Sequence, residues 1–437
     1  MIRVERLLFA ASVTLVASTA HAQSSTTETA PTPAPMSILA ARPDSSPEVD
    51  AFYAARNGLP IWTKDETSRT AVSAFASVLR NSLIEGLTDP GTLASRVEAA
   101  SAANDDKAIS AIWVRYVQAL KAPVRGMNYG DQALALKAPT AAAILGQASG
   151  APSLADHVRQ TSAVNPFYSA LLEAAAKQGA SADTHVRATL DRLRAIPAQG
   201  RAILVDVANA QLMLLEDGRV IDTMKVIVGK PSAPTPLLAG TIHFVTFNPY
   251  WHIPEDVAQR SVAPLVVKRG VSYLKAARYE TINEFGQNMT PIDPVSVDWK
   301  AVAGGSAKVY IRQLSGPNNM MGAMKFGFTN DFGIYLHDTP RKALFDKAKR
   351  NLSLGCVRVE RPKHLAQWLL GRDPVPPNED VEQHVQVDKG VPIYITYLTA
   401  RPDGDKIAYA EDVYGWDKPG TVPVAQVAGG VGDADTQ

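Results

Sequence analysis

The stretch Ala202-Ile203-Leu204-Val205-Asp206-Val207 decides the fold class of this 437-residue chain. Its apolar, partly β-branched composition is typical of a buried strand, and a second such run, Leu212–Glu216, follows closely. Asp217-Gly218 then separates that run from the strand-like residues Val220–Val228. Because both turn residues tolerate positive φ angles, the segment predicts an antiparallel hairpin.

Further strand-like runs follow the hairpin at short intervals. They are Gly240–Phe247, Gly390–Thr399 and Ile407–Val413. Short strands with few intervening helices predict a β-rich domain over about 199–417. Residues 418–437 are rich in Gly, Ala, Val and Asp and are predicted to be a disordered tail.

Upstream of the hairpin, the apolar residues repeat with the period of a helix. One helix face, which Asp105 or Asp106 is placed to cap, consists of Ile109, Ile112, Trp113, Tyr116, Val117 and Leu120. Asn165-Pro166 predicts the start of another helix and Gly179 its end, with the inward residues Phe167, Leu171 and Leu172. Residues 49–198 are therefore predicted to be helical, and the fold class is α+β.

The N-terminus has the pattern of an export signal. Basic residues precede an apolar run from Leu7 to Val16, and Ala20-His21-Ala22 is a small-x-small cleavage site. The run is too short to span a membrane, so residues 1–22 are predicted to be a signal peptide, with an uncleaved anchor as the alternative. Residues 23–48, rich in Ser, Thr and Pro, are predicted to be a disordered linker. We expect a periplasmic protein with no transmembrane span after the signal is removed.

Composition excludes several classes of function. The 44 Lys and Arg residues nearly balance 43 Asp and Glu, so no nucleic-acid partner is expected. The eight histidines show no zinc-type spacing, and no glycine-rich phosphate loop is present, so neither a metal nor a cofactor is expected. The only cysteine, Cys356, cannot form an intramolecular disulfide. In an exported chain it is either buried and inert or kept for its reactivity.

The surroundings of Cys356 favour reactivity. A thiol needs a base to attack a carbonyl group, and His337, nineteen residues upstream at the end of the strand-like run Gly333–Leu336, can serve. Gly355 lets the backbone turn closely, so that amides near the nucleophile can face a developing oxyanion, an effect of about 3–4 kcal/mol per donor. Arg358, on the same side of an extended chain as Cys356, could favour the thiolate or grip a substrate carboxylate.

Each of these residues also has a structural interpretation. Cysteine is commonly a small core residue, and Arg358 could form a structural salt bridge or clamp the backbone. For Ser353 a hydrogen bond within a turn is the favoured interpretation. The alternative for Asp338 is a local turn bond.

Two motifs identify a family resemblance. His337-Asp338-Thr339-Pro340, followed by Ser353-Leu354-Gly355-Cys356-Val357-Arg358-Val359, resembles the active-site motif of L,D-transpeptidases with the YkuD-type catalytic fold. Segments that resemble the large YcbB-like branch are Asn248–Pro254, Met324–Phe326, Tyr335–Leu336, Tyr397–Ala400 and Asp412–Tyr414. The likeness covers about 190–417, and two N-terminal segments, Phe52–Trp62 and Tyr116–Tyr129, more weakly resemble the scaffold of that branch.

The resemblance implies a mechanism. Cys356 would attack the bond between the third and fourth residues of a peptidoglycan stem tetrapeptide, with His337 as proton acceptor and donor and the Asp338 carbonyl orienting it. The amides of Gly355 and Cys356 would be the oxyanion donors. The terminal D-alanine would leave a thioester, which the side-chain amine of a second stem would resolve into a 3→3 cross-link.

The resemblance also implies substrate-binding residues and a domain plan. Tyr335, Arg358, Ser353 and Trp251 would bind the donor or acceptor stem. An α+β chain is expected, in which a helical scaffold region precedes a β-rich L,D-transpeptidase catalytic domain with a lid insertion at about 255–323. Carbapenems would then be inhibitors, and a cell-wall synthase is a candidate partner.

Several points stay open at the level of sequence. Water as acceptor would make the enzyme an L,D-carboxypeptidase, a protein lysine would make it attach proteins to peptidoglycan, and an inactive cell-wall scaffold is the non-enzymatic alternative. A papain-like protease fits poorly, because there the cysteine precedes the histidine. Many relatives have a histidine where this chain has Leu354, and the Ala-rich residues 130–180 lack the pattern of the peptidoglycan-binding module of the YcbB-like branch.

Overall fold

The computed structural model describes residues 46–423 except 83–84, 86–89, 181, 287, 379–380 and 422. The predicted signal peptide, the linker to residue 45 and the tail beyond Pro423 lie outside the described residues. The predicted linker, residues 23–48, extends too far, because a helix already begins at Pro47. The Ser46 side chain caps that helix by accepting from the Val49 N–H, and proline suits the first helical position.

The described residues before 200 form eight α-helices. They are α1 (Pro47–Ala55), α2 (Glu66–Asn81), α3 (Pro90–Ala102), α4 (Asp106–Leu120), α5 (Ala141–Gly150), α6 (Leu154–Ser162), α7 (Pro166–Gln178) and α8 (Thr184–Leu193). Asp105 caps α4 and Asn165 caps α7, and Gly179 ends α7 with a φ of 65°. The predicted helices are thus confirmed, and the predicted apolar face of α4 is buried.

Asp106 organises the start of the helical region. Its carboxylate, on the first turn of α4, accepts the backbone N–H groups of Ile61, Trp62 and Thr63 at 2.7–2.8 Å. The loop is thereby held over α4, where the buried Trp62 lies edge-on to Trp113 with 5.9 Å between ring centroids. A charged side chain that is 7% exposed is tolerated here because several donors satisfy it.

The described chain after residue 200 is rich in strands, and one short strand, β1, lies before it. The strands are β1 (Asn128–Tyr129), β2 (Arg201–Asp206), β3 (Gln211–Glu216), β4 (Arg219–Gly229), β5 (Leu238–Phe247), β6 (Trp251–His252), β7 (Tyr279–Ile282), β8 (Tyr310–Gln313), β9 (Met324–Phe328), β10 (Leu336–His337), β11 (Asn351–Ser353), β12 (Val357–Val359), β13 (Gln383–Thr396), β14 (Ala400–Asp403) and β15 (Lys406–Tyr409). The helices are α9 (Glu255–Val257), α10 (Ala263–Arg269), α11 (Ser272–Ala276), α12 (Trp299–Ala303) and α13 (Pro362–Leu370).

Ten of these strands form one sheet that closes on itself. Eight are joined in the order β5, β13, β2, β3, β4, β12, β10 and β9, and β9 pairs back onto β5. Strand β1 extends it from the helical side by pairing with β5, and β11 pairs with β4. The predicted hairpin is confirmed as β3 and β4, with Asp217 and Gly218 at φ 47° and 72°.

Two predicted strands have different bounds in the structure. The predicted run Gly390–Thr399 is part of β13, which begins seven residues earlier, at Gln383. That extension is largely polar and pairs with the second half of β5, Phe244–Phe247, so the sequence pattern did not reveal it. The predicted strand Ile407–Val413 ends at Tyr409, because it pairs only with the four residues of β14.

Residues 251–313 pack around an apolar cluster of their own. Strands β6, β8 and β7 form a three-stranded sheet, and helices α10 and α12 lie beside it. Buried residues of the cluster include Ile253, Val262, Leu274, Trp299 and Ile311. This unit falls largely within the predicted lid insertion, whose bounds stay a prediction. No helix in the described part of the chain is long and apolar enough to cross a membrane.

Candidate active site

Three neighbouring strands place Lys325, His337 and Arg358 in one row. In β9, Lys325 lies opposite His337 of the antiparallel β10, and His337 lies beside Arg358 of the parallel β12. Because paired residues project from the same face of a sheet, the three side chains are neighbours. The parallel pairing of β10 with β12 is also what brings the histidine motif to the cysteine motif, as the Val357 N–H donates to the Tyr335 carbonyl at 2.9 Å.

The turn before Cys356 is held by Ser353. The Ser353 hydroxyl donates to the Cys356 carbonyl at 2.6 Å and accepts the Gly355 N–H at 3.1 Å. The turn interpretation of Ser353 is therefore confirmed. Gly355 has a φ of 123°, a conformation that favours glycine. Its N–H is engaged by Ser353, so an oxyanion role for this amide requires that it leave or share that bond.

A second layer of hydrogen bonds ties this turn to the end of β4. The Thr235 hydroxyl donates to the Gly355 carbonyl at 2.6 Å and accepts the Gly229 N–H at 2.8 Å. Tyr414 donates through its hydroxyl to the Gly229 carbonyl. Since Thr235 and Ser353 are both buried, the backbone around Cys356 is fixed by satisfied polar groups rather than by solvent.

His337 is buried and its tautomer is set by Asp338. Its Nδ1 lies 2.6 Å from the Asp338 carbonyl oxygen, which can only accept, so Nδ1 carries the hydrogen and Nε2 holds a lone pair. Burial lowers the pKa of His337 to about 4, with Arg358 and Lys325 lowering it further and the Asp338 carbonyl opposing them. At neutral pH the imidazole is therefore neutral and able to accept a proton.

The Asp338 carboxylate takes no part in the hydrogen bond to His337. It accepts the Ala323 N–H at 2.9 Å and the Thr339 N–H at 2.7 Å, and it pairs with Lys342. The local turn bond considered for Asp338 is thus present, through Thr339. The carbonyl of Asp338 has the geometry that the predicted orienting role requires.

One cavity of about 140 Å³ joins most of the predicted site residues. It is lined by Tyr250, Trp251, His252, Pro254, Val257, Met320, Met321, Lys325, Gly333, Tyr335, His337, Ser353, Leu354, Cys356 and Arg358. Cys356 is half-buried, and its Sγ lies 3.5 Å from the Gly333 carbonyl oxygen. Gly355 and Asp338 do not line the cavity and bear on it through the backbone of their neighbours.

Lys325 is one of several lining residues that the residue chemistry of the sequence did not predict. Its side chain is 8% exposed, and its Nζ lies 4.2 Å from the centre of the Tyr335 ring. The available signal was a lysine within the otherwise apolar strand Met324–Phe328. A lysine flanked by buried apolar residues is unusual enough to suggest a role. Within the described ranges, no three His, Cys, Asp or Glu side chains meet in a way that could hold a metal ion.

Comparison with known families gives two matches. Residues 200–377 match the L,D-transpeptidase catalytic domain of the YkuD type, and residues 47–174 match the family called the scaffold domain. Over 389 residues the chain is 25% identical to a Haemophilus influenzae protein whose name assigns it provisionally to the L,D-transpeptidases. That match covers 85% of this chain and 78% of the relative.

Solved structures with similarity are also L,D-transpeptidases. One from Mycobacterium smegmatis is 16% identical, with a TM-score of 0.23 over 45% of this chain and 58% of that chain. The Enterococcus faecium catalytic domain acylated by ertapenem is 15% identical, with a TM-score of 0.23 over 45% of this chain and 98% of that chain. At these values the two structures support no inference about the chemistry of this chain.

Proposed function

This chain belongs to the L,D-transpeptidase family by its catalytic domain, and we propose that it forms 3→3 cross-links between peptidoglycan stems through a thioester on Cys356. The donor would be a stem tetrapeptide and the acceptor a second stem. The observation that supports this best is a neutral His337, with its Nε2 lone pair available, in the same cavity as the Cys356 thiol.

The first half-reaction would transfer the donor stem to the enzyme. His337 Nε2 takes the thiol proton as Cys356 Sγ attacks the carbonyl carbon of the third stem residue. A tetrahedral oxyanion forms, and the N–H groups at Gly355 and Cys356 are the proposed donors to it. On collapse, the bond to the fourth residue breaks, His337 returns the proton to the leaving amine, and D-alanine departs from the thioester.

The second half-reaction would transfer the acyl group to the acceptor. The side-chain amine of a diamino acid in another stem gives a proton to His337 and attacks the thioester carbonyl carbon. The carbon–sulfur bond breaks and the thiol regains its proton, so that the atoms and charges balance over the cycle. Tyr335, Trp251, Arg358 and Ser353 are proposed to bind the stems, Ser353 by fixing the turn. The insertion at about 255–323 would form the lid, as in the proposed YcbB-like branch.

The test is product analysis with the purified protein. Disaccharide-tetrapeptide is incubated with the wild type and with Cys356→Ala, and products are resolved by mass spectrometry. A cross-linked dimer that depends on Cys356 is the expected result. Tripeptide without dimer would identify a carboxypeptidase, and a tripeptide attached to a protein lysine would identify a protein-attaching enzyme. If no donor is consumed, the inactive-scaffold alternative is favoured.

Export to the periplasm is part of this proposal and rests on the sequence of residues 1–22. Peptidoglycan stems are processed outside the cytoplasm, so the substrate and the signal agree. Fractionation of the expressed full chain should recover a mature form that begins at Gln23. Recovery of the uncleaved chain in the cytoplasmic fraction would overturn this part. A cell-wall synthase that supplies donor strands stays a candidate partner.

A further inference from the structure

Two cations line the active-site cavity, the buried Lys325 and the half-buried Arg358, and the described residues do not neutralise them. Lys325 is 8% exposed and has no carboxylate within ion-pair distance in the described part of the chain; its contact is the face of the Tyr335 ring. Arg358 makes no ion pair with any described residue either, and its buried Nε has no hydrogen-bond partner among them. The nearby Asp338 carboxylate is already used by Lys342 and two backbone N–H groups.

Such an arrangement is costly unless a ligand completes it. Buried charges in proteins are normally paired, because removal from water disfavours the ionised form. Here both cations line the same cavity, and the cavity wall beside them includes the apolar side chains of Val257, Met320 and Met321. Water screens these two cations only weakly in the cavity. An anion that enters would therefore displace little solvent and would gain two charge-assisted contacts.

The row across the sheet fixes where that anion must lie. Lys325 and Arg358 occupy the strand positions on either side of His337. In the proposed reaction, His337 protonates the leaving amine, whose α-carbon also carries the carboxylate of the terminal donor residue. That carboxylate therefore lies within about 4 Å of the nitrogen that faces His337, since only two bonds separate them. The neighbours of that carboxylate, on both sides of His337, are the two cations.

We propose that Lys325 and Arg358 form a carboxylate subsite that recognises the free α-carboxylate of the terminal residue of the donor stem. The inference rests on the proposed function and deepens it. A donor extended by one more residue would present a neutral amide at this position. The subsite would therefore explain how this chain recognises the tetrapeptide donor of the proposed function.

Donor binding would also change the basicity of the histidine. The charged or titratable groups around His337 are Lys325 from β9, Arg358 from β12, Cys356 from its turn in the same cavity, and Asp338, which directly follows β10. Both cations lower the pKa of His337. A bound carboxylate would offset them, so the imidazole would become a stronger base when a correct donor is present.

The proposal is tested with two donors that differ only at one end. Disaccharide-tetrapeptide with a free C-terminus is compared with its C-terminal carboxamide, and acylation of Cys356 is followed by mass spectrometry. The wild type should prefer the free acid by roughly 10- to 100-fold in kcat/KM, the range expected for charge-assisted hydrogen bonds. Lys325→Met should reduce this preference several-fold, mainly through KM for the acid, whereas Lys325→Arg should retain most of it.

Two controls separate recognition from folding. Lys177→Met changes an exposed lysine of α7 and should leave the preference unchanged. Alkylation of Cys356 by neutral iodoacetamide, measured as a function of pH, reports on His337 without using the donor. A loss of activity in Lys325→Met that is equal for acid and amide would overturn the proposal, because a merely structural role predicts it.

Binding to the Cys356→Ala variant keeps the inference separate from the proposed function. Calorimetry should show tighter binding of the acid than of the amide, and Lys325→Met in the same background should remove the difference. Equal affinities would overturn the subsite even if the wild type forms cross-links. If the acid bound more tightly than the amide but the wild type turned over neither donor, the proposed function would be overturned and the subsite would be supported.

Discussion

The Thr235 hydroxyl donates to the Gly355 carbonyl at 2.6 Å, although the two residues are 120 positions apart. The same oxygen accepts the Gly229 N–H at 2.8 Å, so one buried hydroxyl joins the end of β4 to the turn that carries Cys356. The position of the proposed nucleophile thus depends on a residue that contributes nothing to the cavity lining.

Replacing Thr235 by valine tests that dependence. The substitution keeps the shape of the side chain but leaves a buried N–H and a buried carbonyl without this partner. We expect a loss of about 1–3 kcal/mol in unfolding free energy and slower acylation of Cys356. Denaturant unfolding and carbapenem acylation followed by mass spectrometry measure the two effects.

Thr396→Val is the matched control for that experiment. Thr396 is also fully buried, but its Oγ1 has no hydrogen-bond partner among the described residues. Removal of an unsatisfied hydroxyl should be neutral or stabilising. If the two valine variants behaved alike, the Thr235 bond would have no special role in holding the turn.

Gly355→Ala tests the conformation of the same turn. At a φ of 123°, a side chain is strained by about 1–3 kcal/mol whatever the space around it. An added Cβ would also lie 3.0 Å from the Ile334 side chain, which must shift. We expect a lower melting temperature and a large loss of acylation rate.

Gly91→Ala gives the corresponding control. Gly91 lies in α3, and an added Cβ there would meet nothing within 4 Å. Alanine is favoured over glycine by about 1 kcal/mol in a helix interior and by less in the first turn, where Gly91 lies, so this variant should be at least as stable as the wild type and fully active. Unchanged acylation by Gly355→Ala would argue against a requirement for the glycine conformation.

Much of the fold was predictable because local patterns agreed with tertiary packing. The caps at Asp105 and Asn165 mark helix starts whatever lies around them, and Asp217-Gly218 specifies a tight hairpin. The polar start of β13 was missed because its strand structure comes from pairing with β5 rather than from alternation of apolar residues.

In the candidate site, too, some features were predictable from the sequence and others were not. Cys356 and His337 could be found from residue chemistry and motif likeness. Lys325 could not be given a role, because its place beside His337 depends on the register of β9 against β10. Nor could the sequence show that the Gly355 N–H is engaged by Ser353, since that depends on the shape of one turn.

Cys356→Ala separates catalysis from packing. If Cys356 is the nucleophile, the variant should form no acyl-enzyme and no cross-linked product. Because the side chain is half-buried and the change removes only a sulfur atom, the melting temperature should change little. A large fall in melting temperature would favour the alternative of an inert core residue.

His337 should make stability depend on pH. Its pKa is about 4 in the folded chain and about 6.5 when unfolded, so between these values the unfolded chain binds a proton that the folded chain does not. The stabilising contribution is complete above pH 6.5 and is lost as the pH falls toward 4, by about 3 kcal/mol at most.

His337→Gln removes this group, so its unfolding free energy should fall less than that of the wild type between pH 7 and pH 4.5. Denaturant titrations at both pH values measure the difference, with His243→Gln, at an exposed position of β5, as control. The wild type could instead keep or increase its excess in unfolding free energy over His337→Gln on acidification. That result would show that His337 is not held neutral, and it would contradict the role of its Nε2 as proton acceptor.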